Sequence, residues 1–287
     1  MHTCQKIFLL LLLLSGPASA AQQGGFTFTK ILEQSGFGVF GGASLNDQGT
    51  AAITVRTFGV GDAVLVGDGR TLSIVAETTS VGSFGQAAIT SRGDVIFSAS
   101  SREGRRILLS RKGRLSTLVD VHAPFGVLGD PVVNGRGTIA YSSVLQMGVR
   151  AIVSLDHGET TTVATHPRAI LVFDINQRGQ VLSMTDPGRP TSSVLIVGDG
   201  RTTRIAADAA DLDGGFFLEA VINDRGTVAF SAFLGEEGRR IYLADPRGGL
   251  TPVITSDGPF ESFTLVALTN SGTPVFAASL DMGGTGV

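Results

Sequence analysis

The sequence predicts an all-β fold: a six-bladed β-propeller of four-stranded blades, with an amino-terminal strand closing the last blade. Three observations predict it. The first is a recurring phrase. Residues 220–234 read AVINDRGTVAFSAFL, and close variants appear as SLNDQGTAAITV, AAITSRGDVIFSAS, PVVNGRGTIAYSSV, FDINQRGQVLSM and VALTNSGTPVFAAS. Their glycines, Gly49, Gly93, Gly137, Gly179, Gly226 and Gly272, are spaced 44, 44, 42, 47 and 46 residues apart. Six copies at such a period make the chain one repeat architecture. The second is the content of each copy: four short β-rich runs joined by tight turn signals, with a longer link only to the next copy, as in Ala206–Phe216. Such meanders, arranged radially, make a propeller; an open β-solenoid and two stacked sandwiches share this pattern. The third is the strand count. The sixth copy ends in a stub at Gly284–Val287 and lacks a fourth strand, while Phe26–Glu33 (FTFTKILE) matches the fourth strands Leu72–Glu77 and Leu115–Asp120. A ring has a use for a spare amino-terminal strand, because pairing it into the last blade removes exposed sheet edges.

The elements follow in chain order. Residues 1–20 are expected to be a secretory signal peptide: Lys6, an apolar run from Ile7 to Leu14, then Ala18-Ser19-Ala20 before Ala21. The run falls short of the ~20 residues a membrane-spanning helix needs. Cys4, the one cysteine, leaves with this leader, so the remaining chain has neither disulfide nor thiol chemistry. Residues 21–287 are expected to form a single monomeric propeller domain, secreted or periplasmic. With 22 basic and 25 acidic residues and no basic stripe, the composition argues against a nucleic-acid partner. No other apolar segment is long enough to span a membrane.

In the fifth copy the strands are expected near Phe217–Ile222, Thr227–Phe233, Arg240–Ala244 and Leu250–Thr255. The turn between the first two, Asn223-Asp224-Arg225-Gly226, has a mechanism. The Asn side chain accepts an N–H two residues on, and glycine closes a tight hairpin at positive φ. Asn46, Asn134 and Asn176 hold the same place, with Thr90 and Thr269 as weaker substitutes, so the repeated Asn reads as structural. Gly67-Asp68-Gly69 and Gly198-Asp199-Gly200 mark hairpins between third and fourth strands. A longer period overlies this one. VLIVGDGRT at 194–202 repeats VLVGDGRT at 64–71, EEGRRI repeats REGRRI, and Leu280-Asp281-Met282-Gly283 repeats Leu145-Gln146-Met147-Gly148. Copies one to three therefore resemble copies four to six.

The segment Asn223–Phe230 (NDRGTVAF) resembles the tandem NxxGxxAF repeat of exported bacterial proteins, which are often tethered to the envelope by carboxy-terminal anchors. The resemblance runs through nearly the whole chain after the leader. It implies an exported repeat protein and no particular reaction. The chain departs from the pattern by stopping at GGTGV, so a fragment of a longer surface protein is one expectation.

Candidate sites come from counting back from the repeat glycine. The aliphatic residues four before it and the residues six before it share a face by period-two alternation and are expected to pack between blades. The residue seven before it varies, and Gln86, Asp130 and Glu219 are expected at the mouth of a central channel, with Asp174 one step deeper. Carboxylate and amide oxygens suit a hard cation. His122 and His166 lie on neighbouring links and join this ligand-binding set. Asp208, Asp211 and Asp213, followed by glycine, offer a calcium loop, although the full loop signature is missing. No HExxH and no GxSxG stands in the sequence, so no catalytic residue is assigned. The expected function is a non-enzymatic binding or scaffold propeller recognising an extracytoplasmic protein, glycan or small ligand on the face that carries the links. The alternative is a metal-assisted hydrolase, lactonase or lyase at the channel mouth.

Overall fold

The computed structural model describes residues 30–32, 38–57, 59–78, 82–122, 129–145, 148–186, 192–212, 215–255, 260–280 and 285–286. Residues 1–20, the expected leader, and most of Phe26–Glu33 lie outside them. The chain divides into two compact units, 1–124 and 125–287. The first holds sheet 1 (Gly38–Leu45, Ala51–Thr57, Gly61–Gly67, Leu72–Glu77) and sheet 2 (Ser83–Ile89, Val95–Ser101, Gly104–Arg111, Arg114–His122). The second holds sheet 3 (Val132–Val133, Ile139–Val144, Arg150–Asp156, Glu159–His166) and sheet 4 (Ile170–Ile175, Val181–Thr185, Val194–Gly198, Thr203–Asp208). It continues with sheet 5 (Phe216–Ile222, Val228–Phe233, Arg239–Ala244, Leu250–Thr255) and sheet 6 (Phe260–Leu268, Pro274–Leu280, Thr285–Gly286). Every sheet is an antiparallel meander in chain order, and the fifth copy's strands lie within one residue of the expected bounds. Among the described residues no helix is long and apolar enough to cross a membrane.

The repeat turn works as the sequence predicts and does one thing more. Asn176 Oδ1 accepts the N–H groups of Arg178 and Gln180, both at 3.0 Å, and the Gly179 N–H returns to the Asn176 carbonyl. The same Asn also donates: its Nδ2 bonds the Asn223 carbonyl of the next sheet at 2.9 Å. Asn46 donates likewise to Thr90 O, Asn134 to Asn176 O and Asn223 to Thr269 O, at 3.0–3.1 Å. One side chain thus closes its own hairpin and latches it to its neighbour. A buried amide needs both its acceptor and its donors satisfied, which these positions achieve at 3–7 % exposure. Thr90 and Thr269 keep the local bonds through Oγ1 and have no amide to offer the next sheet.

Sheets stack face to face within each unit. Ala52 and Val64 of sheet 1 pack on Phe84, Ile89 and Phe97 of sheet 2. Leu182 and Leu195 of sheet 4 pack on Phe217, Ile222 and Phe230 of sheet 5, and Ala229 and Ile241 carry the packing on to Phe263 of sheet 6. Second strands such as Ala51–Val55 are therefore buried on both faces, each large apolar side chain contributing roughly 1.5–3 kcal/mol. An edge-to-face aromatic pair recurs at equivalent places: Phe84–Phe97 at 5.0 Å, Phe217–Phe230 at 5.3 Å and Phe263–Phe276 at 6.3 Å between centroids. Ile31 and Leu32, the described part of the expected amino-terminal strand, cover the face of sheet 1 opposite sheet 2.

Alternation alone misplaces one column. First strands carry β-bulges, between Val172 and Asp174, Phe217 and Ala220, Phe84 and Ala87, and Leu265 and Ala267. A bulge inserts an unpaired residue and shifts every side chain beyond it. The residue six before the glycine is therefore buried at Ala87, Pro131 and Ala220 and 56 % exposed at Val266. The expectation of a uniformly packed column is corrected accordingly.

Candidate functional site

Strands run between two ends of each sheet: a link end, and a turn end bearing the Asn-x-x-Gly hairpins and the third-to-fourth turns. Of the expected residues, Asp130, His122 and His166 sit at the link end, Gln86 and Glu219 midway along their first strands, and Asp174 beside the Asn176 turn. Gln86 and Glu219 fall in the bulges of their first strands, which lifts them from the ladder. Gln86 is exposed and lies over Gly42, where an added Cβ would come within 2.8 Å of it. Glu219 belongs to a network. Its carboxylate pairs with Arg239 at 2.9 Å and accepts the Ser231 hydroxyl, while Arg239 also donates to the Phe263 carbonyl of sheet 6. Asp130 is exposed beside Gly129, whose N–H bonds Ser142 O at 2.9 Å.

Asp174 acts inside the wall. Its two oxygens accept the Ile175 N–H at 2.8 Å and the Ile222 N–H of sheet 5 at 3.0 Å, bracing sheets 4 and 5. Burial pushes its pKa up, as does the nearby Asp224 charge, against the opposing pull of the two N–H bonds.

His166 closes sheet 3 beside a cluster the sequence did not reveal. Asp186, 3 % exposed, takes positive φ at 46° and pairs with Arg168 at 2.7 Å. Ser193 donates to its carbonyl at 2.7 Å, and its N–H bonds Ala169 O at 2.9 Å. His166 Nδ1 stands 3.7 Å from Asp186 Oδ1 and accepts the Arg168 N–H at 3.3 Å. The cluster pins the link from sheet 3 onto the end of sheet 4. In the first unit, Asp62 does comparable work: it pairs with Arg56 at 3.2 Å and accepts the Phe84 N–H of sheet 2 at 2.9 Å. His122 ends the fourth strand of sheet 2 opposite Gly104.

The expected calcium loop opens as a short 3-10 turn, Ala209–Leu212, whose Ala209 and Leu212 are buried. Asp208 caps it through the Ala210 N–H at 2.9 Å, Asp211 is exposed on its surface, and Asp213 lies outside the described residues. Among the described residues no three His, Cys, Asp or Glu side chains come together as a metal cage.

The turn end of sheets 3 and 4 carries a concavity. A groove of about 530 Å³ is lined by Arg136, Thr138, Ser154, Asp156, His157, Thr161, Gln177, Arg178, Gly179, Asp199 and Arg201. Two hairpins from each sheet build it. Arg136 and Arg178 are positioned by the repeat Asn, which binds their backbone N–H groups at 3.0–3.1 Å and leaves both guanidinium groups exposed. Asp199 Oδ1 gathers the N–H groups of Arg201 and Thr202 at 2.9 and 2.8 Å, which lowers its pKa. Asp156 Oδ1 accepts the Thr138 hydroxyl at 3.1 Å and meets His157 Nδ1 at 3.0 Å, with His157 at a φ of 48°. Among the described residues Arg136, Arg178 and Arg201 have no ion-pair partner. The two carboxylates are partly spent inside their own turns, and the three cations are not. The signal was present in the sequence: an arginine precedes the repeat glycine in four copies, as Arg92, Arg136, Arg178 and Arg225.

No family model and no curated protein matches the sequence. Solved structures do match. An oligogalacturonate lyase in complex with manganese superposes with a TM-score of 0.63 at 13 % identity, over 98 % of this chain and 80 % of that one. The oligogalacturonate lyase of Vibrio parahaemolyticus gives 0.57 at 13 % identity, over 86 % and 76 %. TolB from Acinetobacter baumannii gives 0.55 at 12 % identity, over 81 % and 61 %. The chain is an all-β protein of propeller type, its described residues forming five four-stranded sheets and one three-stranded sheet. At such identities the likeness establishes the fold alone.

Proposed function

We propose that this chain is an exported, non-catalytic binding propeller of the NxxGxxAF-repeat kind, and that its ligand site is the turn-end groove of sheets 3 and 4. The observation that carries the reading is the contrast between side chains the fold consumes and those it leaves over. Away from the groove, Glu219, Asp186 and Asp62 each hold an arginine, and inside the wall Asp174 holds two backbone N–H groups. In the groove, turns fixed by Asn134, Asn176 and Asp199 present three arginines whose guanidinium groups the described fold does not pair, beside hydroxyls and an amide. A rigid scaffold displaying unspent polar groups is how a binding module gains affinity without ordering costs. This moves the expected ligand face from the links to the hairpins.

The test is a panel of oligosaccharides and peptides offered to the purified chain, read by melting temperature and by mass spectrometry of the recovered panel. A member that raises the melting temperature and is recovered unchanged supports the reading. Conversion of any member, lost with chelator and restored by calcium or manganese, would replace it with the metal-assisted alternative.

A further inference from the structure

Resting on that assignment of the groove, we infer that its ligand is an acidic oligosaccharide, bound through sugar carboxylates by Arg136, Arg178 and Arg201. The guanidinium fork matches a carboxylate bidentately. Three such forks line one groove, contributed by the repeat turns of two adjacent sheets and by the third-to-fourth turn of sheet 4. Spacing anionic groups along a chain is what a polymer of acidic sugars does. The remaining lining decides between kinds of anion. Thr138, Ser154, Thr161 and Gln177 offer donors and acceptors to hydroxyl groups. Asp156 and Asp199 accept hydroxyls and repel dense charge, which disfavours polyphosphate and nucleic acid, as does the formal charge of −3. Tryptophan is absent from the whole sequence and no Phe or Tyr ring lines the groove, so the recognition is mainly polar rather than by stacking on a sugar face.

The guanidinium groups of Arg136 and Arg178 are free of structural duty, because the turns use their backbone N–H groups and not their side chains. Their replacement therefore tests binding without testing folding. The probes are trigalacturonate and trimannuronate, each beside its methyl ester, titrated calorimetrically into the full chain at 50 and 500 mM salt. At least one acid form should bind, should lose tenfold or more in affinity as the ester, and should weaken severalfold at the higher salt. The double variant Arg136→Ala/Arg178→Ala should lose at least tenfold with an unchanged melting temperature, and Arg178→Lys should recover only part of the loss. Equal binding of acid and ester, or full affinity in the double variant, would overturn the acidic-sugar inference while leaving a sugar-binding reading intact. Binding of neither form would overturn the inference outright; a panel with no binder at all would overturn the groove assignment beneath it.

Discussion

The two ends of sheets 3 and 4 are built from the same strands and treat charge in opposite ways. At the link end Asp186 is buried and held by Arg168, with Ser193 on its carbonyl. At the turn end Arg136, Arg178 and Arg201 stand in a groove with their side chains exposed. Groups satisfied within the fold stabilise it; groups left over are available to something else. The difference teaches where to look for function in a repeat protein: among residues that regular structure positions and does not use.

The contrast can be broken by substitution, and the largest effect should fall on the latch. Asn176→Ala removes an acceptor for two N–H groups and the donor to Asn223 O, and should cost about 3 kcal/mol in urea unfolding. Asn176→Thr imitates the second and sixth copies, keeps the local bonds, and should cost about 1 kcal/mol. If Ala and Thr cost the same, the cross-sheet bond and not the turn carries the position. Next comes Arg168→Ala, which strands a buried carboxylate. Arg168 is itself 56 % exposed, so the expected cost is about 2 kcal/mol, below that of a fully buried pair. Adding Asp186→Asn should recover much of it in the same assay.

A smaller effect separates two repeat glycines. Gly137→Ala meets nothing within 4 Å and should cost about 1 kcal/mol for its φ of 94° alone. Gly226→Ala meets Gln180 Oε1 at 3.2 Å as well and should cost more. The smallest effect is in pH. The folded pKa of Asp174 is raised, so its contribution is full below the ordinary aspartate range and is lost as pH rises through the raised value. Unfolding free energy should fall with pH across that window, and Asp174→Asn should flatten the slope. An unchanged slope would mean that the carboxylate stays ionised in the wall.

Much of the fold was legible because it is periodic. The glycines recur six times, the Asn before them four times with Thr in the other two copies, and the fourth strands match between copies; such local rules survive translation into structure. The candidate site was less legible, for three reasons that can be named. Bulges at Phe173 and Val266 broke the alternation on which the columns were counted. Asp186-Pro187-Gly188 marks a turn, but the bonds of Asp186 with Ala169 and Ser193, which bury it beside Arg168, are tertiary and have no sequence sign. The groove joins Arg136 to Arg178 and Arg201, residues of different copies that only sheet stacking brings together. Even so, the arginine before four of the repeat glycines was visible as a pattern without an assigned task.

The most direct measurement asks which end of the sheets takes the ligand. Amide hydrogen exchange of the full chain, with and without a bound uronic acid trisaccharide, reads both ends at once. The account predicts slowed exchange at 134–138, 156–161, 176–180 and 199–203, with no change at 166–170 or 208–212. Protection confined to those last two stretches would contradict it.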